Sequence, residues 1–384
     1  MLKFLSSVKT IDKALLLAVI ALLVLGVYVI YSGSDFHATE LGRPSYYYAL
    51  KHLSLIGVGL VGMSFAIVVD HKIYFKLARP AFLACLGALL LVVLLGAVTK
   101  GAARWLSIGG FSLQPAELLK IAMFAQMSKR LSALGDDITD FKKGFVQPLV
   151  TLLIVSVLLL LQPNFSMTLM ICATTFILFY AAGVKTRYLL GTFVVGCFCA
   201  LIVGVAEPYR LKRLDAWLNP EEHVQGGGYQ LYNALVSLGH GGWTGTGIGQ
   251  GTQKLGFLPE SYKDVAFSLL GEEMGFLGTT LVLFLFGMIV YRGFLIARNA
   301  KTRFARYFAI CLTASIALNV VFHVFVCTGL MPTTGQPMPF ISYGGTNLIV
   351  SLYSVGILLN ISRKGTGLDI VESRSLAQDM RVTG

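Results

Sequence analysis

Several groups of side chains in this sequence have types and spacings that could do chemistry. Glu260 and Asp264 stand at the entry to an apolar stretch, and Glu272 and Glu273 follow two helical turns later. A carboxylate at a helix N-terminus is held as the anion by the helix dipole, and Lys263 beside Asp264 acts in the same direction. An ionised carboxylate is what a general base requires. The simpler reading of Asp264 is a helix cap, and these residues alone favour it. Upstream, the basic and aromatic run PYRLKRLDAWLNP (208–220) places Arg210 and Arg213 three apart. Two guanidinium forks so spaced could grip a phosphate, or simply be attracted to anionic lipid.

Other groups read as scaffolding. In GAARWLSIGGFSLQPAELLK (101–120), Glu117 and Lys120 are three apart on a helix and can pair. Ionisable groups in a membrane usually face the interior and mark functional sites, but a paired Glu is a poor base, so an internal salt bridge is expected. Arg104, just ahead of that helix, is better placed to meet an anionic head group. LQPNF (161–165) reads as a proline-bearing turn, with Gln162 as an accessory contact. Glycines alternate at 245, 247, 249 and 251, so backbone there can bend sharply or approach a ligand closely. No strand precedes them and no Walker lysine follows, which excludes a nucleotide loop. His323 reads as a hydrogen-bonded interior residue. All six cysteines fall within apolar blocks, where small apolar filler is the expected role.

The elements that must position these residues are membrane helices. Only 13% of the 384 residues are charged and mean hydropathy is +0.74, whereas a soluble domain carries about a quarter charged. The apolar residues gather in ten blocks of the length that crosses a bilayer, roughly 20 residues: 14–32, 52–70, 81–98, 114–134, 146–162, 165–183, 187–206, 264–291, 304–328 and 341–361. The expected fold is therefore an all-α integral membrane protein. It has about ten transmembrane helices and one large extracytoplasmic loop, 207–263, between helices 7 and 8. With both termini inside, cytoplasmic segments hold 21 of the 31 Lys and Arg and the short outer loops only 4. That asymmetry is the positive-inside pattern, so the net charge of +12 records topology and implies no nucleic acid. One membrane domain (1–362) and a cytoplasmic tail (363–384) are expected, and no cleavage site follows the first block. The segment GLMPTTGQPMPFISYGG (329–345) cannot be regular helix. Such backbone survives at membrane depth only where protein buries it or it lines a wet cavity, so it is expected over a central cavity near the long loop.

Four ordered motifs, GAARWLSIGGFSLQPAELLK, LQPNFSMTLMI, GIGQGTQKLGFLPESYKDVAFSLLGEEMGFLG and GLMPTTGQPMPFISYGGTN, closely resemble the shape, elongation, division and sporulation family, FtsW and RodA. The likeness runs from the first span to about Ser362. It implies a peptidoglycan glycosyltransferase of the bacterial cytoplasmic (inner) membrane. Such enzymes polymerise lipid II and release undecaprenyl pyrophosphate, beside a class B penicillin-binding protein and other cell-wall or division proteins. The family's essential aspartate falls on Asp264, which the resemblance makes the general base. Arg104, Arg210 and Arg213 become pyrophosphate contacts, and Gln253, Glu260 and Ser342 substrate contacts. Glu117, Lys120, Gln162 and Glu272 become accessory residues. No cofactor is evident and no ligand cluster demands a metal, although a divalent cation at the pyrophosphate fits the chemistry.

The sequence departs from the family pattern at Tyr262 and Lys263, where His-Thr is usual, at Asn164 for Asp, and at His323 for Asn. Spacing within GIGQGTQKLGFLPE resembles the division-type members more than the elongation type. Two competing functions are a lipid II flippase, against which stands the lack of paired broken helices in both halves, and a non-catalytic scaffold, which needs no polar outer surface.

Overall fold

In lipid, a chain can satisfy its backbone only internally, so each apolar run folds as a helix. The computed structural model describes residues 11–363 except 96–97, 100–101, 104, 109–110, 206–207 and 259–260. In chain order its helices are α1 (Lys13–Glu40), α2 (Tyr47–Val68), α3 (His71–Leu95), α4 (Pro115–Ala133), α5 (Gln147–Leu161), α6 (Phe165–Ala182), α7 (Thr186–Val205), α8 (Pro208–Leu218), α9 (Tyr229–Gly241), α10 (Ala266–Arg298), α11 (Arg303–Cys327) and α12 (Gly345–Ser362). Ten of them stand on the ten predicted blocks, and α8 and α9 lie within the long loop. Among the described residues, 8 helices are long and apolar enough to cross a membrane. Helix α4 is not one of them, as its Glu117, Lys120, Lys129 and Arg130 dictate.

Several boundaries differ from expectation. Helix α1 runs on to Glu40 rather than 32, α2 begins at Tyr47 rather than 52, and α3 begins at His71 rather than 81. Helix α10 begins at Ala266 rather than 264, after a turn over 261–265, and ends at Arg298 rather than 291. Helix α12 begins at Gly345 rather than 341, because Phe340, buried with a left-handed φ of 65°, lies in a turn and the chain stays non-helical through Gly344. Between α3 and α4 lie two short antiparallel hairpins. In one, β1 (Val98–Thr99) pairs with β2 (Ala102–Ala103); in the other, β3 (Leu106–Ile108) pairs with β4 (Phe111–Leu113). At the end of the bundle remote from residue 264, Arg292 Nε donates to Asp12 Oδ2 (2.8 Å), and the Asp12 amide donates to Ser362 Oγ (3.2 Å). These bonds join the first, eighth and last spans.

Helix α10 is broken in its outer half. Gly275 has φ 65° and ψ −164°, a conformation open essentially to glycine alone. The break frees backbone groups inside an apolar bundle, and the long loop takes them up. Phe276 N–H donates to Gly242 O (2.9 Å) and Leu277 N–H to Trp243 O (3.1 Å), while Glu272 O accepts from Thr246 N–H (2.9 Å) and Glu273 O from Gly247 N–H (3.2 Å). Of the alternating glycines, Gly245 and Gly247 therefore lie against protein backbone, and Gly251 lies against the Glu272 and Glu273 side chains. A Cβ at Gly245 would stand 2.2 Å from Glu273 O.

Gly275→Ala combines strain of about 1–3 kcal/mol with a Cβ 2.3 Å from Gly245 N. The expected outcome is a lowered thermal midpoint in detergent and faster protease cleavage within 242–258. Wild-type values for both would contradict this account of the break.

Candidate active site

Asp264 is half-buried in the turn that precedes α10. The N-cap of α10 is Val265, so Asp264 stands one residue ahead of it, in the turn over 261–265. What stands over it is residues 329–344. A Cβ at Gly335, whose φ is +65°, would lie 3.5 Å from Asp264 Oδ2.

Residues 329–344 are stitched down through their own carbonyls. Trp217 Nε1 of α8 donates to Gly329 O (2.7 Å), Arg213 Nη1 to Thr333 O (3.0 Å) and Ser166 Oγ of α6 to Thr334 O (3.4 Å). His323 Nδ1 meets Gln336 O at 2.9 Å while its Nε2 accepts from Phe267 N–H at 3.5 Å. That pairing makes Nδ1 the protonated nitrogen and fixes His323 as the interior hydrogen-bonding residue. The Tyr343 amide donates to Tyr262 O (2.9 Å), two residues before Asp264. Three consecutive residues, 333 to 335, thus meet an arginine, the start of α6 and the aspartate.

Two carboxylates farther along α10 hold the long loop in place. Glu272, fully buried, accepts from Thr252 N–H (2.8 Å), Thr252 Oγ1 (3.1 Å) and Gln253 N–H (3.2 Å). Glu273 accepts from Ser32 Oγ (2.6 Å), Lys254 Nζ (2.8 Å) and the Tyr28 hydroxyl. Lys254 Nζ also donates to Ser32 Oγ (2.7 Å) and Gly249 O (2.8 Å), which completes its three donors. Glu273 and Lys254 therefore join α10, α1 and the long loop at one buried point.

An aromatic cluster supports the turn that carries Asp264. The Tyr262 ring is buried among Tyr48 (5.3 Å between centroids), Tyr343 (5.8 Å) and His37 (6.2 Å), and Lys263 Nζ lies 5.4 Å from its centre. Burial, and then the neighbouring Tyr48 and Tyr47, push the Tyr343 phenol up to about 12, so it stays protonated at neutral pH. This packing gives the unusual Tyr262–Lys263 pair its structural place.

The other predicted residues are distributed as follows. Glu117 and Lys120 form a buried ion pair at 2.8 Å, and Asn347 Nδ2 of α12 donates to Glu117 Oε1 (3.1 Å), so the pair locks α4 to α12. Gln162 is buried and donates to Leu89 O (3.0 Å), a structural turn contact. Gln253 is buried beside Glu272. Ser342 is buried and its hydroxyl accepts from Met338 N–H (2.9 Å), shaping the loop. Arg104 and Glu260 lie outside the described residues, as do the tail from 364 and the side chain of Arg210. Sequence reasoning passed over Lys254, Ser32 and Tyr28. An intramembrane Tyr and Ser one turn apart on α1 were the only hint of them.

Comparisons with known proteins bear on the family and the fold. The model of the FtsW–RodA–SpoVE family, described as "Cell cycle protein", matches residues 13–367. A probable peptidoglycan glycosyltransferase FtsW of Trichlorobacter lovleyi is 38% identical over 353 residues, covering 91% of this chain and 93% of the relative. Stage V sporulation protein E of Bacillus subtilis is 35% identical, covering 92% and 97%. Among solved structures, a chain from work titled as the structural coordination of polymerization and crosslinking by a peptidoglycan synthase complex superposes with TM-score 0.78 at 26% identity, covering 92% and 97%. The rod shape determining protein RodA of Thermus thermophilus gives TM-score 0.71 at 25% identity, covering 93% and 98%.

Removing one partner of a buried ion pair leaves the other charge uncompensated, a loss of roughly 3–5 kcal/mol. Lys254→Met is therefore expected to lower the thermal midpoint and to raise hydrogen exchange across 245–258. Lys254→Met with Glu273→Gln should recover much of the midpoint. Failure of the double variant to recover would contradict an ion-pair origin.

Proposed function

Because the chain belongs to the FtsW–RodA–SpoVE family of cell cycle proteins, we propose that its outer surface around Asp264 polymerises lipid II into β-1,4-linked glycan. The protein is a peptidoglycan glycosyltransferase and a multi-pass membrane protein, in keeping with the relatives named for that activity. The observation that carries the mechanism is the convergence of Asp264, Arg213 and the start of α6 on residues 333–335.

Asp264 takes the proton from the acceptor sugar's 4-hydroxyl as that oxygen bonds to the anomeric carbon of the lipid-linked donor. The anomeric carbon–oxygen bond to pyrophosphate breaks, and undecaprenyl pyrophosphate leaves with the electron pair. Attack from the face opposite the leaving group inverts an α-linked donor to a β-linked product. Asp264 then releases its proton to water. Arg213, with Arg210 and Arg104, balances charge on the departing pyrophosphate, where fixed positive groups stabilise the transition state most. A divalent cation at the pyrophosphate would serve the same end.

The motif spacing and the 38% identity to an FtsW favour a role in division over elongation. Transpeptidation falls to a class B penicillin-binding protein, a reading supported by the structural neighbour from a peptidoglycan synthase complex that coordinates polymerization and crosslinking. The setting is the bacterial inner membrane with both termini cytoplasmic, a reading the Lys and Arg distribution supports.

The test is lipid II polymerisation by the purified protein with its partner, whose crosslinking is blocked by a β-lactam. A positioned base contributes typically 10²–10⁴-fold, so Asp264→Ala and Asp264→Asn are expected to lose polymerisation by about that factor while partner binding and thermal midpoint stay at wild-type values. Normal polymerisation by either variant would remove Asp264 from the mechanism, whereas a wild type that does not polymerise would favour the flippase.

A further inference from the structure

We propose that the first turn of α6, together with Asn164, Ser166 and Thr334, forms an anion subsite that takes the pyrophosphate of the lipid-linked donor. This rests on the glycosyltransferase reading and adds to it a place for the leaving group.

The first intrahelical bond of α6 runs from Thr168 N–H to Asn164 O (3.2 Å), so the amides of 165–167 have no acceptor within the helix. They sit at the positive end of an 18-residue helix, a ready anion site. A second observation points to an occupant. Asn164 is the N-cap residue, yet its side chain does not cap the helix; it is 3% exposed, and its Nδ2 is buried with no partner among the described residues. Thr334 Oγ1 is buried and equally unpartnered. A buried donor without an acceptor costs about 1–3 kcal/mol, and two of them flank one helix start. Ser166 Oγ, at 3.4 Å from Thr334 O, ties the two elements together with a long bond that a stronger acceptor can replace.

Position agrees with the chemistry. A general base and a leaving group lie on opposite sides of the reacting carbon, a few bonds apart. Consecutive Cα atoms are about 3.8 Å apart, so Thr334 stands one residue from Gly335, the residue against Asp264 Oδ2. Thr333, held by Arg213, is one residue farther on. The subsite thus begins where the base ends and leads toward a cation. Three amides, a carboxamide and two hydroxyls suit a group with several anionic oxygens, as a pyrophosphate has.

The experiment is equilibrium binding of ³²P-labelled inorganic pyrophosphate to the full chain with its partner in nanodiscs, with chelator present. It compares wild type, Thr334→Val, Asn164→Leu and Asn164→Asp, each checked for thermal midpoint. The expected result is saturable wild-type binding, weakened roughly tenfold or more in each variant as a hydrogen bond to an ionised group is lost. Unchanged affinity across the variants overturns the subsite. So does displacement of pyrophosphate by phosphatidylglycerol at equal strength, which would assign the groups to bulk lipid. A wild type that polymerises without binding pyrophosphate overturns the subsite alone. One that binds it in this variant-sensitive way but never polymerises keeps the subsite and overturns the glycosyltransferase reading.

Discussion

The backbone of residues 329–344 has polar groups that lipid cannot satisfy and a helix does not, and the arrangement of the outer half of the protein follows from how they are paired. Each unpaired group in hydrocarbon would cost several kcal/mol. The carbonyls of Gly329, Thr333, Thr334 and Gln336 therefore collect donors from Trp217, Arg213, Ser166 and His323. Those donors belong to α8, α6 and α11, so satisfying one short segment brings three helices to it. Gly335 then rests against Asp264 because the neighbours on either side are fixed.

The same constraint explains the long loop. The break of α10 at Gly275 exposes amides and carbonyls that the 242–247 backbone takes up, and Glu272 and Glu273, just before the break, bind residues 252–254. The loop is thus an extension of the bundle, held by backbone pairing and one buried ion pair rather than by a core of its own. Asp264 sits between these two stitched segments, at the start of the helix that anchors one and under the turn of the other.

Much of this was legible in sequence because lipid imposes simple rules. Twenty-residue apolar blocks located ten helices, and three prolines with four glycines marked 329–345 as non-helical. The spacing of Glu117 and Lys120 announced their ion pair, found at 2.8 Å. What could not be read was pairing across distance. The alternating glycines at 245–251 look the same whether they approach a ligand or a broken helix, and only the partner backbone at 272–277 decides. Lys254 carried no local sign that its ammonium would meet Glu273, since nothing in composition says that Tyr28 and Ser32 face that point. Asp264 reads in sequence as standing at a helix start, and it lies one residue ahead of the Val265 N-cap, in the turn over 261–265.

The central claim is that residues 333–335 hold Asp264 where it can act as a base. It is tested most directly by the turnover of Gly335→Val in lipid II polymerisation, with KM and thermal midpoint measured alongside. A valine there must adopt a φ of +65° and place its branches within contact of Asp264 Oδ2, 3.5 Å from its Cβ. The account predicts that kcat falls by about tenfold or more, the effect of a small misplacement of a catalytic group, while partner binding persists. Polymerisation by Gly335→Val at the wild-type kcat would contradict it.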